Sequence, residues 1–229
     1  MEFQALTYDI TNDVAPITLN RPESRNAING QMRIELNEAW KNFLEDEDAW
    51  VAILTGSGDV FCAGADLKDG AGSAGTFPGT FWEKPTINLF ESGLELFKPT
   101  IAAVNGPCIG YGLTGVLFCD FVIATDRSTF AYPEVSIGVP TIVGAIRLPE
   151  RIGWANAMEL LLTGAPIDAE RAKDVGLVWR ITEAEKLAQS EDFDYLALIG
   201  SGFNSLRRYT PTLLDALDMK AAPAARELH

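Results

Sequence analysis

Short blocks of apolar residues, separated by polar and glycine-rich stretches, set the rhythm of this chain. Ala15-Pro16-Ile17-Thr18-Leu19 reads as a strand. Ile34, Leu36, Trp40, Phe43 and Leu44 recur near helical spacing and predict a helix over 31–43. The run Val51-Ala52-Ile53-Leu54-Thr55 reads as a second strand. The segment 69–80, DGAGSAGTFPGT, predicts a loop leading to a helix over 86–97. A strand over 100–104, a helix opening near Gly110 and a strand over 121–125 then repeat the pattern. Periodicity alone makes this an α/β chain.

The segment 98–120, KPTIAAVNGPCIGYGLTGVLFCD, holds the first chemical signal. Its apolar run breaks at Asn105-Gly106-Pro107, and a second turn feeds the chain into the start of a helix. First-turn amides have no acceptor inside the helix and lie at the positive end of its dipole, so Gly110, Tyr111 and Gly112 can present N–H groups to an anion or a polarised carbonyl. A second small-residue turn, Phe61-Cys62-Ala63-Gly64-Ala65-Asp66-Leu67-Lys68, follows the 51–55 strand. Two such turns can aim two amides at one oxygen.

Composition narrows the chemistry. With 229 residues and 47% hydrophobic content the chain can bury an ordinary core. Its 18 Lys and Arg against 32 Asp and Glu give a formal net charge of −14, which opposes nucleic acid and anionic membrane surfaces. The three cysteines form no C-x-x-C pair and read as reduced core residues rather than a disulfide framework or zinc site. No basic, then apolar, leader opens the sequence and no run reaches the roughly 18 apolar residues of a membrane span, so a cytoplasmic location is expected. The single histidine, His229, stands at the end of the printed sequence. Ser-His-Asp, Cys-His and His-based metal chemistry are thereby set aside.

Taken with Phe130-Ala131-Tyr132-Pro133-Glu134-Val135-Ser136-Ile137-Gly138, the two turns resemble the crotonase (enoyl-CoA hydratase/isomerase) superfamily. The resemblance spans roughly 17–181. Its pieces stand in family order: Leu19-Asn20-Arg21-Pro22 with Asn26-Ala27, then Ala63 to Lys68, Ala102 to Gly106, Pro133-Glu134 with Ile137-Gly138, Leu162-Thr163-Gly164, and Ala169 to Val178. It implies an α/β spiral of repeated ββα units, with a crotonase-like core over 1–182 carrying the acyl-CoA site and a shortened helical, oligomerisation region over 183–229. It also implies a homotrimer or a dimer of trimers. The apolar groups Tyr195-Leu196-Ala197-Leu198-Ile199 and Leu213-Leu214-Ala216-Leu217 are expected at buried contacts.

The resemblance places the oxyanion-hole amides at Ala65 and Tyr111, where the family usually has glycine at the second. Its two acid/base glutamates map to Thr114 and Glu134, leaving one carboxylate. A neutral hydroxyl can hold a water or a substrate oxygen but accepts no proton at pH 7. Glu134, in apolar sequence company, is the candidate proton carrier. Coenzyme A contacts map to Arg25, Ala27, Ala63, Asp66, Leu67 and Lys68, and no cofactor is expected beyond the coenzyme A of the substrate itself. The reading is an acyl-CoA enzyme working through an enolate and leaning to double-bond isomerisation. Hydration or dehydration, C–C bond hydrolysis on the same fold, and a non-catalytic acyl-CoA-binding subunit stand as alternatives.

Overall fold

In a computed structural model, the described residues are 2–11, 13–69, 94, 96–184 and 187. In chain order they form β1 (Leu6–Tyr8), β2 (Val14–Leu19), α1 (Gly30–Glu45), β3 (Val51–Gly56), β4 (Thr100–Val104), β5 (Cys108–Ile109), α2 (Tyr111–Leu117), β6 (Phe121–Thr125), β7 (Thr129–Ala131), α3 (Glu134–Ile137), α4 (Ile142–Ile152), α5 (Trp154–Thr163), β8 (Ile167–Asp168), α6 (Ala169–Asp174) and β9 (Arg180–Thr182).

Two sheets share these strands. The larger runs β1-β2-β3-β4-β6-β9 and the smaller β5-β7-β8. Within the larger, β1 pairs antiparallel with β2 and every other neighbour is parallel. Twice the chain passes from the larger sheet to the smaller and then into a helix: β4 then β5 then α2, and β6 then β7 then α3. This is the expected ββα spiral.

Sequence chemistry explains the elements that hold the site. In α1, Asn29 caps the first turn by accepting from Met32 N–H at 2.9 Å. Met32, Ala39, Trp40 and Phe43 then recur at helical spacing and are buried at 1% exposure or less. Truncating Phe43 to alanine would cost about 3–5 kcal/mol. The strands β3 and β4 are buried at nearly every position, as parallel strands covered on both faces are.

Glu35 is an exception to the apolar stripe of α1. It is fully buried and accepts backbone N–H bonds from Gln4 at 2.9 Å and Ala5 at 2.7 Å, tying the chain leading into β1 to α1. β1 and β7 to β9 carry no strong periodicity of their own, being strands of two or three residues fixed by their neighbours.

The expected loop over 69–80, apart from Asp69, and most of the expected helix over 86–97 lie outside the described residues. At that helix's end Leu96 and Phe97 are not helical, and Phe97 has φ of 52°. The region 183–229, with both apolar groups expected at contacts, lies outside the described residues except for Glu183, Ala184 and Leu187. Among the described residues no helix is long and apolar enough to cross a membrane.

Candidate active site

The two glycine-bearing turns are stitched together by ladder bonds. Cys62 N–H donates to Pro107 O at 3.1 Å and Ile109 N–H donates to Cys62 O at 2.9 Å. Gly110 N–H continues the ladder to Ala131 O at 2.9 Å, so the loop before Glu134 joins the same layer. On the far side, Ala63 N–H donates to Arg25 O, Ile28 N–H to Gly64 O and Asp66 N–H to Ile28 O, at 2.8 to 3.0 Å.

These bonds orient Ala65. In a parallel bridge the residue opposite Ile28 turns its own N–H and C=O away, so the Ala65 N–H points to the side on which Cys62 pairs with the 107–109 segment. Gly64, with φ of 97°, permits this reversal; a Cβ there would lie 3.1 Å from Ile109 O and 3.7 Å from Tyr111 N. Tyr111 is the first residue of α2, and its helix supplies no acceptor for its N–H. The turns bearing Ala65 and Tyr111 therefore meet. Tyr111 also lines an apolar cavity with Ile28, Leu36, Trp40 and Phe61.

Glu134 opens the short α3, directly after Pro133. Gly110, with φ of 54°, leaves room for it: a Cβ at 110 would fall 2.7 Å from Glu134 Oε1. Glu134 Oε2 is buried and has no hydrogen-bond partner among the described residues. Of its sequence neighbours Phe130 and Tyr132 are buried, whereas Val135 and Ile137 are 49% and 56% exposed, so only part of the expected apolar company encloses it.

Thr114, 4% exposed, stands on the next turn of α2. Its Oγ1 lies 3.4 Å from Gly110 O and 3.1 Å from the Tyr132 hydroxyl. Burial, above all, pushes the Tyr132 phenol far above its ordinary pKa, and the Glu134 charge adds to the rise against the lowering effect of the Thr114 bond. Thr114 and Tyr132 are thus a neutral hydroxyl pair beside one carboxylate.

The six expected coenzyme A residues lie on the paired segments 25–28 and 62–68. Arg25, Leu67 and Lys68 are exposed, and neither Arg25 nor Lys68 has an ion-pair partner among the described residues. Asp66 is committed differently. Its carboxylate accepts from Arg21 Nη1 at 3.0 Å and from Lys68 N–H at 3.1 Å, and the Arg21 bond, first, holds its pKa below the ordinary value. Arg21 Nη1 also donates to Ala27 O at 2.6 Å, clamping the two segments.

Sequence reasoning assigned no role to Arg21 or Tyr132, although both stand inside motifs it quoted. The signal available was an arginine and a phenol within otherwise structural turns. All three cysteines are buried, and burial pushes the thiols of Cys62 and Cys119 up to about 12, as reduced core residues require.

A family model described as enoyl-CoA hydratase/isomerase matches residues 9–226, a longer stretch than the motifs alone mark out. A probable enoyl-CoA hydratase of Mycobacterium leprae is 39% identical over 191 residues, covering 82% of this chain and 72% of the relative. The (E)-benzylidenesuccinyl-CoA hydratase of Thauera aromatica is 37% identical over 185 residues, covering 80% and 72%. Among solved structures, the enoyl-CoA hydratase of Mycobacterium tuberculosis H37Rv superposes with a TM-score of 0.74 at 31% identity, covering 98% of this chain and 94% of that one.

Proposed function

Because the chain belongs to the enoyl-CoA hydratase/isomerase family, an enzyme family acting on CoA thioesters, we propose that it moves a double bond within an acyl-CoA through an enolate, with Glu134 as its only acid/base. The observation that carries this reading is the neutral Thr114–Tyr132 pair, 3.1 Å apart, beside the Glu134 carboxylate.

In this reading the thioester oxygen binds between the Ala65 and Tyr111 amides. Donors there act as negative charge develops, and losing one typically costs about 3–4 kcal/mol in the barrier. The Glu134 carboxylate takes a proton from C2 of a 3-enoyl thioester, leaving a dienolate, and returns it to C4, so the product is the 2-enoyl thioester. No water is consumed and one carboxylate suffices. Arg25 and Lys68 supply local positive charge for the coenzyme A phosphates against the acidic whole, while Ala27, Ala63, Asp66 and Leu67 shape the backbone around them. A cytoplasmic homotrimer or dimer of trimers belongs to the same reading.

Hydration is the second reading, favoured by the names of the relatives, which are hydratases. It asks for a second group to handle the added water, and Thr114 accepts no proton at neutral pH. A panel of 2-enoyl, 3-enoyl and saturated acyl-CoA esters in deuterated water, read by mass spectrometry, separates the two. Deuteron uptake with unchanged heavy-atom mass marks isomerisation, a gain of one water marks hydration, and neither would leave a binding subunit.

A further inference from the structure

The Tyr132 hydroxyl, Thr114 Oγ1 and Gly110 O form a buried chain, with separations of 3.1 and 3.4 Å. Two protons serve these three oxygens. One order uses both: Tyr132 O–H donates to Thr114, and Thr114 O–H donates to Gly110 O. The reverse order leaves the Tyr132 proton buried with no acceptor among the described residues, at a cost of about 1–3 kcal/mol. Thr114 therefore commits its only proton to the backbone and one lone pair to the phenol. The ring itself is fixed: it is 1% exposed, and a Cβ at Gly144 would fall 2.6 Å from its Cζ.

Water addition needs a water held beside the carboxylate. Thr114 Oγ1 lies 3.4 Å from Gly110 O and Glu134 Oε1 abuts the backbone of the same Gly110, so an oxygen about 3 Å from Thr114 Oγ1 is where such a water would find an acceptor, and the phenol oxygen already occupies that position. We infer that Tyr132 is a specificity-determining residue, whose hydroxyl, docked on Thr114, keeps water from the carboxylate so that the site transfers protons without adding water. The inference rests on the reading of Glu134 as the acid/base. The two reactions differ in balance: isomerisation moves one proton from C2 to C4, whereas hydration places OH on C3 and H on C2, both from water.

The test is Tyr132→Phe, which keeps the ring and removes one oxygen, leaving space for a water against Thr114. With 3-enoyl and 2-enoyl-CoA as substrates, the ratio of hydrate to isomer is expected to rise at least about tenfold. Because both products form in one reaction, the ratio is insensitive to the folded fraction, which a merely structural role would change. Tyr132→Met, which fills the ring's space with a flexible apolar chain, is expected to shift the ratio the same way and serves where the Phe variant does not fold. A Thr114→Glu variant retaining Tyr132 is expected to gain little hydration, and the Thr114→Glu/Tyr132→Phe double variant much more. An unchanged ratio in a folded Tyr132 variant, or a wild type that hydrates as fast as it isomerises, overturns the inference. A wild type that isomerises no 3-enoyl ester instead defeats the functional reading beneath it.

Discussion

Glu134 rests its carboxylate against the backbone of Gly110, so closely that a methyl group at 110 would fall 2.7 Å from Oε1. Gly110 also has φ of 54°, a conformation that costs a side-chain-bearing residue about 1–3 kcal/mol. Gly110→Ala is therefore expected to lower stability by that order and to displace the carboxylate. Misplacing a reacting group by about 1 Å costs up to roughly a hundredfold in rate. Steady-state kinetics beside thermal melting check this: a folded variant with wild-type kcat would mean that the Gly110–Glu134 contact does not position the acid/base.

Glu35 links stability to pH. Burial alone would raise its pKa, but bonds from Gln31, Gln4 and Ala5 outweigh burial and hold it below the ordinary 4.5. A lowered folded-state pKa means that the stabilisation is complete above the unfolded value and is lost as pH falls through the folded one. Glu35→Gln should destabilise the protein by about 2 kcal/mol at pH 7, with the gap from wild type closing only below about pH 4.5. Melting temperatures of both proteins from pH 7 to 3 provide the check, and a gap that does not change with pH would contradict the assignment.

The parts of the fold that sequence made legible are those whose physics is local. The buried strands β3, β4 and β6 and the amphipathic α1 carry their own periodicity, and the expected bounds differ from those observed by a few residues at most. The strands β5, β7 and β8 span two or three residues, and nothing in so short a segment announces a partner. β5 and β7 exist because Ile109 and Gly110 find acceptors at Cys62 and Ala131, and β8 because Ile167 and Asp168 pair with Phe130 and Thr129 of β7. The candidate site divides the same way. Ala65, Tyr111, Thr114 and Glu134 stand in recognisable turns, but the Arg21 clamp joins residues 45 positions apart and the Tyr132–Thr114 pair joins residues 18 apart. Neither follows from spacing along the chain.

Assembly is testable from surface chemistry. Ile142 and Ile146 on α4, Trp154 and Leu162 on α5, and Ile137 on α3 are 56 to 71% exposed. Apolar side chains gathered on neighbouring helices favour a covered surface over solvent. A homotrimer or dimer of trimers is expected, and light scattering at micromolar concentration checks it. A mass near the 24.9 kDa of one chain would contradict it.

The central claim is that Glu134 alone carries the proton. The most direct measurement is deuteron exchange at C2 of a bound 3-enoyl-CoA in deuterated water, compared between wild type and Glu134→Gln, with ligand affinity measured on the same samples. The account predicts that the variant binds the ester within a few-fold of wild type and loses both C2 exchange and isomer formation. Exchange and turnover near wild-type rates in the folded variant would contradict it.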